Sequence, residues 1–252
     1  MLSTHAVDER ALRALLGQVR KGKVAIGAAA RRLAPHHRVG EFAELDGERA
    51  ARMGVPEVIY GAGKSPAQIA ALVERLAALK QGVLVTRLDA AGGEAAARAA
   101  KGRYDPLSRT FQAGNPRKPK GLVCVLAAGT TDIPVAEEAA VTAGFVGAHV
   151  ARHFDVGVSG LHRLLRRVPE LRTADALVVV AGMEGALPSV VGGLVARPVV
   201  AVPTSVGYGA SQGGMAALHA MLNSCAANVT VVNIDNGFSA GFTAALIARN
   251  AR

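Results

Sequence analysis

The chain has no tryptophan, three tyrosines, six phenylalanines and only two cysteines in 252 residues. Two cysteines make no disulfide framework of the kind that small secreted domains rely on. So few aromatic side chains leave little to stack on unpaired bases, and no helix-turn-helix or RNP pattern is present. Nucleic acid is therefore not the expected partner. No run of about 18 apolar residues occurs, which argues against a bilayer-spanning helix and a membrane partner. The opening residues MLSTHAVDERALRALL carry acids and arginines where a secretory signal needs an apolar stretch. These shortages point to a cytoplasmic protein.

Aliphatic residues and positive charge are plentiful. Half of the residues are hydrophobic, enough to fill a core and incompatible with intrinsic disorder. The formal charge of +10 is unevenly spread. Residues 1–120 hold 21 basic and 11 acidic side chains, the remainder holds 8 of each, and all seven lysines lie at or before Lys120. Two such different surfaces predict two domains, 1–118 and 119–252, joined near Gly114-Asn115-Pro116-Arg117-Lys118-Pro119-Lys120.

The second part repeats one pattern five times: a short apolar run, a polar turn, a helical stretch. The runs are 122–126, 148–154, 176–180, 198–202 and 229–234, and the helical patterns follow at about 135–146, 158–167, 186–195, 210–224 and 238–249. The first, third and fourth runs are almost wholly apolar, as strands covered on both faces are. The fold class is α/β: an open parallel sheet with helices on both faces, Rossmann-type, preceded by a small α/β domain. In that small domain the spacing predicts helices over 6–20, up to Leu33, 66–80 and 90–101, and strands over 57–60, 83–88 and 107–112.

The polar residues of the second part collect just after the strands: Thr130, Thr131 and Asp132; Asp155; Glu184; Thr204 and Ser205; Asp235 and Asn236. In open α/β sheets ligands bind at the carboxyl ends of the strands, beside helix N-termini that favour anions. Gly129, Gly182, Gly185, Gly207, Gly209 and Gly237 flank these positions and let backbone amides approach a ligand. Any one such turn can equally be a plain βα connection; five on one edge point to a pocket.

Several motifs fail on inspection. Gly63-Lys64-Ser65 resembles the end of a Walker A loop, but Val58 stands where that motif needs its first glycine. Those residues read either as an anion-holding turn or as an exposed one. Gly209-Ala210-Ser211-Gln212-Gly213 matches the nucleophile elbow G-x-S-x-G, yet no histidine follows His219 to complete a triad in the usual order. His36 and His37, adjacent in what reads as a loop, and His149, His153 and His162, on different elements, form no metal set. Cys124 lies mid-strand and reads as a core residue. Cys225 closes a helix before the last strand, where a structural role is the simpler reading; by βα topology it faces the edge away from the turns of its own subunit.

The segment Gly129-Thr130-Thr131-Asp132-Ile133-Pro134-Val135-Ala136-Glu137-Glu138-Ala139 resembles the phosphate-and-ribose loop of PurE-type aminoimidazole ribonucleotide carboxylases and mutases. The fuller pattern resembles the LarB family, the pyridinium-3,5-biscarboxylic acid mononucleotide synthases of nickel-pincer cofactor biosynthesis, which carry a PurE-like C-terminal domain. The matching stretches are Asp155-Val156-Gly157-Val158-Ser159-Gly160-Leu161-His162-Arg163, Val180-Ala181-Gly182-Met183-Glu184-Gly185-Ala186-Leu187-Pro188-Ser189, Pro203-Thr204-Ser205-Val206-Gly207-Tyr208-Gly209, Leu222-Asn223-Ser224-Cys225 and Val232-Asn233-Ile234-Asp235-Asn236-Gly237-Phe238. In the first part Pro56-Glu57-Val58-Ile59-Tyr60-Gly61 with Gly63-Lys64 also looks like this family. One departure from PurE stands out: its catalytic histidine, in a Ser-Ala-His-Arg stretch after the second strand, has no counterpart in Asp155-Val156-Gly157-Val158-Ser159.

The resemblance implies a reaction: nicotinic acid adenine dinucleotide and CO2 are converted to the biscarboxylated mononucleotide and AMP. It implies Cys225 as the nucleophile that adds to the pyridinium ring and Glu184 as its acidic partner. Asp132 would hold a ribose, with Thr130 and Thr131 near phosphate. Ser205, Gly207 and Gly209 would line the nucleotide site, with Asp155, Asp235 and Asn236 at the same edge. Mg2+ is implied as the cofactor of diphosphate hydrolysis, with ligands unassigned. The second part carries 16 charged residues in 132, few for a monomer surface, so a homo-oligomer is expected. The resemblance suggests an octamer, in which a neighbouring subunit can bring Cys225 to a site.

Overall fold

A computed structural model describes residues 9–33, 36–47, 49–114 and 118–251. The first part runs α1 (Glu9–Arg20), α2 (Ile26–Leu33), β1 (His36–Val39), β2 (Ala43–Asp46), α3 (Arg49–Met53), β3 (Val58–Tyr60), α4 (Pro66–Ala78), β4 (Val83–Thr86), α5 (Ala90–Ala99), β5 (Gly102–Asp105) and β6 (Thr110–Ala113). Residues 6–8 of the expected first helix, and Asn115, Pro116 and Arg117 of the expected linker, lie outside the described residues. β3, β4, β6 and β5 form a four-stranded sheet in that order, β3 parallel to β4 and the other pairs antiparallel. The best-formed local signal is the start of α4. The Gln68 amide donates to Ser65 Oγ and the Ser65 amide donates to Gln68 Oε1, with Pro66 in the first turn. From there Ile69, Leu72, Val73 and Leu76 bury one stripe at helical spacing.

The second part runs β7 (Leu122–Ala127), α6 (Ile133–Val146), β8 (His149–His153), α7 (Leu161–Leu165), α8 (Val168–Leu171), β9 (Ala176–Ala181), α9 (Leu187–Leu194), β10 (Val199–Pro203), α10 (Met215–Leu222), β11 (Val229–Val231) and α11 (Gly237–Asn250). The five strands pair in parallel in the order β11-β10-β9-β7-β8. This is the expected α/β architecture. After β7 the chain adds β8 on one side and then returns past β7 to lay down β9, β10 and β11 on the other. The direction of winding therefore reverses at β7, and a crevice opens there.

Each face of the sheet has its own core. On one face α6 and α11 approach closely through small residues: Ala136, Ala139, Ala140 and Ala143 meet Ala240, Ala244, Ala245 and Ala248. A side chain at Gly241 would collide with the Ala139 carbonyl oxygen. Val55, Val58 and Leu84 of the first part join this same cluster, so the small sheet is seated against α6 and α11. On the other face Leu164, Leu171, Leu187, Val191, Ala217 and Met221 pack under α7 to α10.

Some sequence expectations need correction. His36 and His37 belong to β1, paired with β2 in an antiparallel hairpin, not to a loop. The helix expected over 158–167 is a 3-10 turn at Val158–Gly160 followed by the short α7. The helix expected over 210–224 is also divided, because Gly213 and Gly214 take φ of 75° and 82°, which breaks the run before α10 begins.

Candidate active site

At the reversal point a cleft of about 200 Å³ is walled by the turns after four strands. Gly129, Thr131 and Asp132 follow β7; Gly157, Val158 and Ser159 follow β8; Gly182, Met183 and Glu184 follow β9; Val206 follows β10. The amino ends of α6 and α9 abut it, which favours a negative ligand group.

Two acids in this cleft have opposite circumstances. Asp132 is buried. Its Oδ2 accepts from the Gly129 amide at 2.9 Å and its Oδ1 from Thr204 Oγ1 at 2.7 Å. It ties the turn after β7 to the turn after β10. Burial raises its pKa above the ordinary carboxylate value, opposed by those hydrogen bonds. Glu184 is exposed, and its carboxylate has no hydrogen-bond or ion-pair partner among the described residues. It rides on a tight turn in which the Gly185 amide donates to the Gly182 carbonyl and Met183 has φ of 51°. A free carboxylate on a strained turn is a group available for proton transfer.

A second cleft, of about 230 Å³, lies between the two parts of the chain. Arg87, Leu107, Ser108 and Arg109 come from the small sheet; Pro134, Val135, Glu138, Ser205 and Asp235 come from the large one. Val206 lines both clefts. Arg87 donates through its outer nitrogen to the Asp235 carbonyl, and its Nε lies 3.6 Å from Glu138 Oε1. The Asp235 carboxylate accepts from the Ser205 amide at 2.8 Å.

The residues singled out in the sequence are thus distributed. Thr131, Asp132 and Glu184 line the first cleft, and Ser205 and Asp235 the second. Asp155 pairs with Arg163 in a separate basic groove along β8, lined also by Arg152, His153, Arg166 and Arg167. Thr130 is exposed beside the first cleft, Gly207 lies in the loop after β10, and Gly209 opens the 3-10 turn Gly209–Gly214 before α10. Asn236 caps α11 by accepting from the Ser239 amide at 2.9 Å. Arg87, Arg109 and Glu138 were not anticipated. Arg87 falls inside the strand expected over 83–88, and in the structure it directly follows the shorter β4.

The two cysteines separate cleanly. Cys124 is fully buried in β7, and burial pushes its thiol up to about 12. Cys225 is exposed and outside the first cleft of its own chain. It follows Ser224, whose Oγ accepts from Ser189 Oγ at 2.8 Å, and Ser189 belongs to the opening turn of α9 at the cleft wall. The neighbouring helix α10 exposes Met215, His219 and Leu222 with Leu218 half-buried, spaced i, i+3, i+4, i+7. Lys64 donates to the Tyr60 carbonyl at 2.8 Å, which makes the Gly61–Lys64 turn self-contained.

Comparison with known proteins agrees with this architecture. Residues 37–115 match the LarB/PurE-like N-terminal domain, and residues 122–252 match the AIR carboxylase domain. The chain belongs to the LarB family. An uncharacterized protein of Methanocaldococcus jannaschii is 39% identical over 225 residues, covering 85% of this chain and 87% of that protein. The N5-carboxyaminoimidazole ribonucleotide mutase of the same organism is 30% identical over 130 residues, covering 49% of this chain and 76% of the mutase. Membership in the LarB family places the chain among carboxylase-family proteins. No described helix is long and apolar enough to cross a membrane.

The described residues contain no group of three or more His, Cys, Asp or Glu that could hold a metal ion. Mg2+ commonly binds through one or two carboxylates, substrate phosphates and water, so the absence of a protein-built cage leaves no residue set here to assign to it.

Proposed function

We propose that this protein carboxylates nicotinic acid adenine dinucleotide at C5 of its pyridinium ring, using CO2, and hydrolyses the diphosphate to release AMP. The observation that carries the reading is a cleft that offers the free carboxylate of Glu184 and lacks the PurE histidine, in a chain whose second cysteine, Cys225, is exposed outside that cleft.

A pyridinium carbon is electron-poor and does not attack CO2. Addition of the Cys225 thiolate forms a C–S bond and moves an electron pair onto the ring nitrogen, giving an enamine whose C5 is nucleophilic. C5 then forms a bond to CO2. Glu184 removes the C5 proton, the C–S bond breaks, and the thiolate leaves as aromaticity returns. Hydrolysis consumes one water: its oxygen bonds to phosphorus and the P–O bond to AMP breaks. Mg2+, when bound to the diphosphate, would supply charge neutralisation for that second reaction.

In this reading Cys225 serves the cleft of a neighbouring subunit in a homo-oligomer, with an octamer as the expected form. The exposed apolar stripe of α10 beside it is the kind of surface that a second copy covers. The test offers the pure protein nicotinic acid adenine dinucleotide or aminoimidazole ribonucleotide, each with bicarbonate and Mg2+, and identifies products by mass spectrometry. The expected result is AMP plus biscarboxylated mononucleotide from the first substrate and no product from the second. Turnover of only the aminoimidazole nucleotide would overturn the reading in favour of PurE chemistry.

A further inference from the structure

The cleft between the two parts of the chain has features that packing alone does not require. Six non-glycine residues among those described have positive φ, and three of them, Arg87 at 55°, Arg109 at 55° and Asp235 at 56°, line this one cavity. Each such backbone costs about 1–2 kcal/mol, and strain of this sort gathers where side chains must be held for a ligand. Arg109 is further fixed by its Nε, which donates to the Leu88 carbonyl at 2.9 Å, while the Leu88 amide donates back to the Arg109 carbonyl at 2.9 Å. Its outer nitrogens have no protein acceptor among the described residues.

Glu138 supplies a second, independent observation. It is 4% exposed, it lines the cavity, and its Oε1 has no hydrogen-bond partner, with the ion-paired Arg87 Nε standing off at 3.6 Å. Its Oε2 accepts from the Phe238 amide at 3.3 Å. The ion pair offsets part of the burial cost, and the oxygen still lacks a donor within hydrogen-bond distance. The cavity thus offers guanidinium groups for an anion and an acceptor waiting for a donor. Inorganic phosphate offers oxygens to the arginines and, beyond its own P–OH, no donor. A phosphorylated ribonucleoside satisfies both, with phosphoryl oxygens for the arginines and a hydroxyl or amino donor for Glu138.

Cavity size points the same way. Pockets that enclose a whole ligand usually measure about 300–1,000 Å³. The two clefts, at about 200 and 230 Å³, are each too small for a dinucleotide, yet they meet at Val206. From this we propose that the interdomain cleft is a nucleoside-monophosphate subsite, in which Arg109 and Arg87 hold the phosphoryl group and Glu138 accepts from the ribonucleoside. The inference rests on the proposed function, for which this cleft holds the half of the substrate that leaves as AMP.

Calorimetric titration of the full chain with AMP, ribose 5-phosphate and inorganic phosphate tests it. The expected order of affinity is AMP, then ribose 5-phosphate, then phosphate. Arg109→Gln weakens AMP by about tenfold or more, as loss of a charge-assisted contact does; Arg109→Lys recovers part of it, and Glu184→Gln changes it by less than about twofold. AMP affinity unaltered in Arg109→Gln overturns the proposal. Because the chain has no tryptophan, Leu107→Trp places a lone fluorophore at the cleft rim that works whether or not the arginine variants fold. AMP is expected to change its emission saturably, and AMP binding with a silent Trp would overturn the subsite. The two readings fail separately. Arg109-dependent AMP binding without pyridinium carboxylation removes the proposed reaction and leaves the subsite. Carboxylation with Arg109-independent AMP binding does the reverse.

Discussion

The two parts of this chain divide their labour by charge. The large parallel sheet is electrically neutral, holds a buried acid and a free acid at its reversal point, and carries the exposed thiol. The first part, residues 1–120, holds the whole positive excess, and its small sheet lends Arg87, Leu107, Ser108 and Arg109 to the cleft where it meets the large one. A net charge of +10 is therefore not one property of the molecule. Most of it lies away from that cleft, and two arginines set on strained backbone, Arg87 and Arg109, carry the part that lines it.

The largest effect should come from the neutral half. Cys225→Ala is expected to lower carboxylation by on the order of a thousandfold, as loss of a covalent nucleophile does. The melting temperature should be little changed, because the side chain is exposed. Full activity in this variant, measured by chromatography of the nucleotides, would return the thiol to a bystander. The same contrast can be read chemically. In the native protein a thiol reagent should label Cys225 and spare Cys124, whose thiol burial has pushed up to about 12. Both should react after denaturation.

Next in size is the seam that joins the halves. Gly241→Ala forces a methyl group against the Ala139 carbonyl in the α6–α11 contact on which the small sheet is seated. Overpacking of this kind costs about 1–3 kcal/mol, and denaturant midpoints would measure it. An unchanged midpoint would mean that the two helices can separate at no cost.

A smaller, pH-dependent effect marks each cleft. Burial raises the pKa of Asp132 in the first cleft, opposed by Thr204 and backbone amides, and of Glu138 in the second, opposed mainly by Arg87. A carboxyl raised on folding keeps its proton after the unfolded chain has lost its own. Stability should therefore fall as pH climbs from the ordinary carboxylate value of about 4 through the raised folded values. Asp132→Asn and Glu138→Gln should each flatten that decline in urea titrations run across the range. A decline that steepens in either variant would refute the assignment. The smallest effect belongs to the basic half away from the junction: Lys64→Ala, which removes an exposed bond to the Tyr60 carbonyl and a distant contact with its ring at 5.9 Å, should shift stability by less than about 0.5 kcal/mol.

The parts of this account that were legible in the sequence are those encoded by local pattern. The cores of β7, β9 and β10 are visible because strands covered on both faces must be continuously apolar. The N-terminus of α4 is visible because Ser65, Pro66 and Gln68 state a capping box. The turns holding Asp132 and Glu184 are visible because polar residues interrupt apolar runs. The β1–β2 hairpin was missed because His-His-Arg-Val and Ala-Glu-Leu-Asp contain no apolar run to mark a strand. The division of the helix before Cys225 was missed because φ at Gly213 and Gly214 is set by the turn, not by periodicity. The interdomain cleft was missed for a different reason. Arg87, Arg109 and Glu138 lie far apart in sequence, and only the docking of one sheet on the other brings them together.

Carbon–carbon bond formation on a pyridinium ring leaves an isotopic signature that tracing reads out. The full chain would be incubated with nicotinic acid adenine dinucleotide, Mg2+ and 13C-bicarbonate, and the mononucleotide product analysed by mass spectrometry and 13C NMR. The account predicts one labelled carboxylate per mononucleotide, bonded to the ring, with AMP released in equal amount. AMP accompanied by unlabelled nicotinic acid mononucleotide, the signature of a simple hydrolase, would contradict it.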